Sequence, residues 1–252
     1  MSRILITGSS SGFGLAIAQR FLAEGWEVIA TMRSLREDVL PPQERLTLLP
    51  LDVTDARSIA AAIKAAGPLD ALVNNAGVGM LNVLEGADVE NIREVFETNA
   101  LGPIAVTKAV MPQFRARRAG VIVNVSSSVT VKPLPALSAY SASKAALNAF
   151  TESFALEADL FGVRVRLVLP GSSPSTSFGR NAVARMGMDI PDPYAAFVAD
   201  YLGELRSTAE VTTPEDVAQA VWAAVTEPAT PMKSPAGADA RIWFREAGLF
   251  AA

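Results

Sequence analysis

Ile4-Leu5-Ile6-Thr7-Gly8-Ser9-Ser10-Ser11-Gly12-Phe13-Gly14 decides how the rest of this chain is read. A short apolar run ends in a glycine-rich turn, and a helix-like stretch (13–24) follows. Glycines here allow a tight turn and let backbone approach a pyrophosphate, which then rests on the N-terminus of the helix. The pattern gains its meaning from this place between a first strand and a first helix. Gly8, Ser10, Ser11, Gly12, Phe13 and Gly14 are therefore candidate contacts to a dinucleotide. The same residues also read Gly-x-Ser-x-Gly, the turn that presents a nucleophilic serine in hydrolases. That chemistry needs a histidine base, and the chain contains no His.

Outward from this turn, nearly continuous apolar runs recur at Ile4–Ile6, Val28–Ala30, Leu46–Leu51, Ala71–Val73, Val121–Val125 and Val163–Leu169. Runs without polar alternation suit strands covered on both faces, as in a parallel sheet. Helix-like stretches lie at 13–24, 55–66, 88–117, 139–161 and 214–226. Thr213-Pro214-Glu215-Asp216 makes a helix start, with proline near the first helical position and acids in the first turn. Alternating strand and helix predicts an α/β fold. Its core would be one doubly wound parallel sheet with helices on both faces, a Rossmann arrangement in a single domain over 1–252. Residues 172–212 break the rhythm. They begin rich in Ser, Pro and Gly (Ser172 to Gly187), then turn amphipathic around Tyr194, Phe197 and Tyr201. A long excursion in a compact domain is expected to be functional, here a substrate-covering lid whose Phe178, Tyr194 and Phe197 supply an apolar pocket.

Composition narrows the chemistry. Half of the 252 residues are apolar, enough for one large core. A net charge of −4 argues against a nucleic-acid or anionic-membrane surface. The one basic cluster, Arg115, Arg117 and Arg118, falls where a helix should end and complements its dipole. The absence of Cys and His removes disulfides, thiol catalysis, thiolate ligation, most zinc sites and the Ser-His-Asp triad. No metal is expected. The start at Met1-Ser2-Arg3-Ile4 carries no signal peptide, and no apolar run is long enough for a bilayer, so a cytoplasmic protein is expected. The sequon Asn124-Val125-Ser126 then has no use.

Two further signals concern a nucleotide and a proton. The second strand ends Ala30-Thr31-Met32-Arg33-Ser34, with no acid for a ribose 2′-hydroxyl. Arg33 instead offers a cation for a 2′-phosphate, helped by a serine from Ser9, Ser10 or Ser34. Farther on, Ser126-Ser127-Ser128 closes a strand, and Tyr140-Ser141-Ala142-Ser143-Lys144 begins a helix. Positions i and i+4 share a helix face, so Tyr140 and Lys144 point the same way. A nearby ammonium, together with the positive ring of an oxidised nicotinamide, is expected to lower the phenol pKa toward the range useful for acid/base work.

With these motifs on the page, the chain resembles the short-chain dehydrogenase/reductase family, in its 250-residue branch, over almost its whole length. Five motifs match in order: Thr7–Gly14; Asn74-Asn75-Ala76-Gly77; Asn99; Ser127 with Tyr140 and Lys144; and Pro170-Gly171. The resemblance implies an NADP(H)-dependent oxidoreductase, with NAD(H) the alternative cofactor, interconverting a ketone or aldehyde and an alcohol by hydride transfer. It makes Tyr140 the general acid/base, and Lys144 the residue that binds the nicotinamide ribose while lowering the tyrosine pKa. Ser127 would hydrogen-bond the substrate oxygen, and Asn99 would hold a water in the proton relay. Asn75, with Ala76 and Gly77, would support the cofactor ribose, Asp52 and Val53 would border the adenine, and Arg33 matches the arginine of many NADP-using members. Pro170, Gly171 and Ser173 would lie beside the nicotinamide, with Ser173 standing where the family usually has Val or Ile.

The Gly-Gly ending of many members is missing, and Pro235-Ala236-Gly237-Ala238-Asp239 resembles instead the branch of steroid and retinol dehydrogenases, a pointer to lipophilic alcohols. The family further implies a homodimer or homotetramer through the helices near 88–117 and 139–161. Two other readings stand beside this one. A non-catalytic NADP(H)-binding sensor would not need Ser127, Tyr140 and Lys144 together. A sugar-nucleotide epimerase or dehydratase would need an additional C-terminal substrate domain, for which the chain is too short.

Overall fold

The computed structural model describes residues 2–249 apart from 177, 180, 183–188 and 208–209, so part of the 172–212 excursion, Gly187 included, lies outside the described residues. Seven strands form one sheet: β1 (Arg3–Ile6), β2 (Glu27–Met32), β3 (Leu46–Pro50), β4 (Ala71–Asn74), β5 (Gly120–Val125), β6 (Val163–Pro170) and β7 (Lys233–Ala236). Their order is β3-β2-β1-β4-β5-β6-β7, and every pairing is parallel. The crossovers are α1 (Gly12–Ala23), α2 (Ala56–Ala66), α3 (Val89–Phe96), α4 (Gly102–Arg117), α5 (Ser138–Asp159), α6 (Ala195–Ser207) and α7 (Pro214–Thr226), with α8 (Ala238–Glu246) at the end.

The unbroken apolar runs have a direct cause. Ile4 and Ile6 point to one face, where Val28, Val73 and Val123 join Ile17 and Phe21 of α1 and Val217 and Val221 of α7. Leu5 points to the other face, where Ile29, Leu72 and Ile122 meet Ile59 of α2 and Val106, Val110 and Phe114 of α4. Each position faces a covered layer, so neither parity can be polar. The strand order reverses between β1 and β4, and in such sheets a crevice opens at the carboxyl ends of the strands at that point.

Three expectations change. The stretch 88–117 is helical from Val89 onward but not uniform: α3 passes through a wide turn, Glu97–Leu101, into α4. Pro103 has no N–H to return to the Asn99 carbonyl, so the regular ladder cannot run through this point. Strand β7 escaped notice because Lys233-Ser234-Pro235-Ala236 is neither apolar nor alternating; as an edge strand it tolerates a proline. Helix α8 follows it, a short helix whose buried residues are Asp239, Ala240 and Phe244. The other starts and stops hold closely. Thr213 and Asp216 cap α7 reciprocally, and Arg118, in a left-handed conformation at φ 51°, ends α4. Among the described residues no helix is long and apolar enough to cross a membrane.

A polar ladder runs through the interior between β4, β5, α4 and α5. Asn74 Nδ2 donates to Asn124 Oδ1 at 2.8 Å and to Thr107 Oγ1 at 3.0 Å. Asn124 Nδ2 donates to Thr151 Oγ1 at 2.8 Å, and Thr151 donates to the Leu147 carbonyl at 2.6 Å. Asn124 has no exposed surface, which rules out a glycan at the sequon in the folded chain. Asn124→Ala leaves a void and strips partners from Asn74 and Thr151, and each orphaned buried group costs about 1–3 kcal/mol. Denaturant titration should show unfolding stability reduced by about 2–4 kcal/mol; a loss below about 0.5 kcal/mol would show that the ladder does not hold the layers together.

Candidate active site

The Thr7 hydroxyl, at the end of β1, accepts the backbone N–H groups of Asn75 and Ala76, each at 3.0 Å. Asn75 answers by donating its side-chain amide to the carbonyls of Thr7 (3.0 Å) and Gly8 (3.1 Å). The loop after β4 is thus stitched to the glycine turn. Gly8 adopts φ +72°, and a Cβ there would stand 2.8 Å from Ala76 Cα; a Cβ on Gly14 would strike the Gly8 carbonyl at 2.2 Å. Only glycine lets these backbones touch.

Above this seam lies a cavity of about 370 Å³ along the carboxyl ends of the strands, within the size range of small-molecule sites. Gly8, Ser10, Ser11, Gly12, Phe13, Arg33, Asp52, Val53, Asn75, Ala76, Gly77, Ser127, Tyr140, Lys144, Pro170, Gly171 and Ser173 all line it. Of the catalytic residues and cofactor contacts expected from the family resemblance, Gly14 and Asn99 do not. Gly14 packs beneath the turn. Asn99 is fully buried: its Oδ1 accepts the Val78 N–H at 2.8 Å, and its Nδ2 donates to the Val78 carbonyl at 2.9 Å and to Ser143 Oγ at 3.1 Å.

At one end of the cavity Ser11 precedes α1 without any side-chain cap, so the first N–H groups of the helix face the cavity with no side chain bonded to them. Arg33 is exposed at the rim and forms no ion pair among the described residues. Of the three serines expected beside it only Ser10 lines the cavity; Ser9 is buried, and its hydroxyl is spent on the Ile6 carbonyl at 3.1 Å. Asp52 is held by Thr54, whose N–H and hydroxyl donate to its Oδ1 at 2.9 and 2.7 Å.

At the other end Ser127, Tyr140 and Lys144 converge. All three are buried, Tyr140 and Ser127 are joined by a side-chain hydrogen bond, and Lys144 Nζ donates to the Val125 carbonyl at 3.0 Å. Burial pushes the Tyr140 phenol up to about 12, an effect that the hydrogen bond from Ser127 partly offsets. Burial also pushes the Lys144 ammonium down to about 8. The expectation of a phenol lowered by its lysine is therefore not what the chain alone sets. Desolvation penalises the charged form of each group.

The cavity walls fit a nicotinamide dinucleotide. Uncapped helix N–H groups and side-chain-free backbone suit a pyrophosphate. The Ser173 hydroxyl is buried against the cavity with no hydrogen-bond partner among the described residues, and such a group needs one from a ligand such as a carboxamide. Among the described residues no group of three or more His, Cys, Asp or Glu could hold a metal ion.

Some lining residues had no sequence signal. Glu94 and Thr98 arrive from α3 and the wide turn after it, Gly79 follows the β4 loop, and Thr176, Asn181 and Ala182 come from the excursion. The position of the excursion after Pro170-Gly171 pointed to it as a whole but not to these residues. Phe178 does reach the cavity, its ring 5.9 Å from that of Tyr140. Tyr194 and Phe197 do not line it: the Tyr194 hydroxyl bonds with Glu85, and Phe197 is exposed to solvent. The periodicity that placed these rings on one helix could not tell which neighbour that helix would meet.

Residues 2–185 match the family model for short chain dehydrogenase. An uncharacterized oxidoreductase of Bacillus subtilis is 36% identical over 236 residues, covering 88% of this chain and 84% of that one. Human retinol dehydrogenase 8 is 33% identical over 248 residues, covering 91% and 79%. The crystal structure of a short chain dehydrogenase from Burkholderia cenocepacia in complex with NADP superimposes with a TM-score of 0.79 at 25% identity, covering 100% of this chain and 98% of that one. With a family model matching most of its length, the chain belongs to the short-chain dehydrogenase family of oxidoreductases.

Proposed function

We propose that this protein is an NADP(H)-dependent carbonyl reductase or alcohol dehydrogenase acting on a small, lipophilic substrate. One observation carries the reading: a single cavity joins Arg33 and the uncapped start of α1 at one end to Ser127, Tyr140 and Lys144 at the other. A passive nucleotide sensor has no use for the second cluster. When bound, the nicotinamide supplies or accepts the hydride. The Ser127 hydroxyl donates a hydrogen bond to the carbonyl oxygen and orients it. The Tyr140 phenol, kept protonated at neutral pH by burial, gives its proton to that oxygen as it becomes an alcohol. In the reverse direction Tyr140 must first lose its proton. Lys144 holds the ribose and remains mostly cationic below about pH 8.

The apolar character of the substrate is supported by Phe178, Val78 and Ala182 beside Tyr140, and by the likeness to a retinol dehydrogenase. Of the segment 172–212, Ser173, Thr176, Phe178, Asn181 and Ala182 line the cavity, which supports reading it as a lid. The shallow surface formed by Ile104, Met111, Phe150 and Phe154 on α4 and α5, where the two phenylalanine rings stack at 5.4 Å, is the face through which we would pair subunits.

Tyr140→Phe removes only the proton donor. Steady-state turnover should fall by at least about 100-fold, since positioned proton transfer is worth roughly 10²–10⁴, while NADP⁺ affinity stays near that of the wild type. A variant keeping more than about a tenth of the activity would take Tyr140 out of this role.

The pH dependence follows from the same phenol. Oxidation needs its ionised form, so kcat/KM for the alcohol should rise with pH between about 7 and 9; reduction needs the protonated form and should not rise. A flat oxidation profile over that range would separate the rate from Tyr140 ionisation.

Arg33 should set cofactor choice. A hydrogen bond to a charged group is worth about 1.5–3 kcal/mol, so Arg33→Ala should lower the NADPH over NADH ratio of kcat/KM by roughly 10- to 150-fold. Equal use of the two cofactors by the wild type, or an unchanged ratio in the variant, would defeat the assignment.

A further inference from the structure

The cavity wall beside the nicotinamide end is built by Pro170, Gly171 and Ser173, at the point where the chain leaves β6. No strand pairing holds Ser172 and Ser173 there. Ser172 is anchored by two residues that do not line the cavity, and the Ser173 carbonyl beside it accepts the Thr176 N–H at 3.2 Å and the Thr176 hydroxyl at 2.9 Å. Asp239, the second residue of α8, is 3% exposed. Its Oδ2 accepts the Ser172 N–H at 2.6 Å, and its Oδ1 accepts the Ala240 N–H at 2.9 Å and the Thr212 hydroxyl at 2.7 Å. Thr212 is fully buried. Its hydroxyl oxygen accepts the Gly171 N–H at 2.9 Å, and its own N–H donates to the Ser172 carbonyl at 2.7 Å.

The fit leaves no slack. A Cβ on Gly171 would stand 2.1 Å from Asp239 Oδ1, and one on Gly237 would stand 2.0 Å from Thr212 Oγ1. Hence both glycines are required by the side chains they admit, not by the sheet. A buried carboxylate receiving three donors makes strong, directional bonds, and removing one donor leaves a buried acceptor unsatisfied.

We propose that Thr212 and Asp239 form a latch that fixes the Gly171–Ser173 wall from behind, and that both are positioning residues for the reaction. The proposal rests on the oxidoreductase reading for its effect on rate, though not for the latch itself. Hydride transfer is sensitive to placement, since a misplacement of about 1 Å can cost roughly 100-fold. The phosphate end of the cavity, held by Thr7 and Asn75, does not depend on this latch.

The test compares Thr212→Val, which keeps the shape and removes the hydroxyl, with Thr212→Ser, which keeps the hydroxyl, and with Asp239→Asn. Amide hydrogen exchange over residues 168–176, the dissociation constants of NADP⁺ and of adenosine 2′,5′-bisphosphate, and kcat and KM are read on each folded variant. Thr212→Val and Asp239→Asn should speed exchange in this segment by about tenfold or more and lower kcat by at least about tenfold. Adenosine 2′,5′-bisphosphate should bind as to the wild type, and Thr212→Ser should stay within about twofold of it throughout. Unchanged exchange would overturn the latch, and faster exchange with unchanged kcat would overturn its positioning role. An equal loss of affinity for both nucleotides, with no rescue by Thr212→Ser, would show a general structural role instead. Were the wild type inactive on every carbonyl and alcohol tried, the oxidoreductase reading would fail by itself; exchange and NADP⁺ affinity would still decide the latch.

Discussion

One hydroxyl group, that of Thr7, holds the two halves of the sheet in the relation the site requires. By accepting two backbone N–H groups from the loop after β4, it brings Gly8 against Ala76 at the reversal of strand order. The path continues without a break in chemistry. The same loop presents Val78 to Asn99, Asn99 donates to Ser143, and Ser143 donates to the carbonyl of Tyr140 at 2.7 Å. The glycine turn at one end of the cavity and the tyrosine at the other are therefore positioned by one hydrogen-bonded chain. Such networks rigidify when every member is satisfied, and Thr7, Asn99, Ser143 and Tyr140 in this one are buried.

The electrostatics of the site come from its dryness. Tyr140 and Lys144 share a helix face, yet their pKa values move in opposite directions for one reason: burial disfavours charge on either. The effect leaves the phenol a proton donor at neutral pH and the lysine a cation close to its titration range. In the function proposed, a substrate oxygen would meet Ser127 and Tyr140, already joined by a hydrogen bond, in an environment where each hydrogen bond is stronger than it would be in water.

Around the site, the two apolar layers carry the stability while polar groups set geometry. Phe21 and Phe114 anchor opposite faces of the sheet, and the Asn74–Asn124–Thr151 ladder crosses between strands and helices where apolar side chains would fit less specifically. At the far end of the sheet, Asp239 performs the corresponding service for the wall after β6.

Much of this was legible in residue order. Continuous apolar runs between amphipathic stretches can be satisfied only by strands buried on both faces, so the doubly wound sheet follows from local pattern alone. The glycine turn, and the Tyr140–Lys144 spacing after a serine-ended strand, are likewise short-range features whose chemistry travels with the sequence. What only the folded chain decided are the contacts between distant segments. They include the inward turn of Ser9, the wide turn before Pro103, the arrival of Thr176 where Tyr194 and Phe197 stay away, the edge strand β7, and the meeting of Thr212 with Asp239. Periodicity records which face of an element is apolar. It carries no record of which other element that face will meet, and burial, which sets the pKa values here, exists only once they have met.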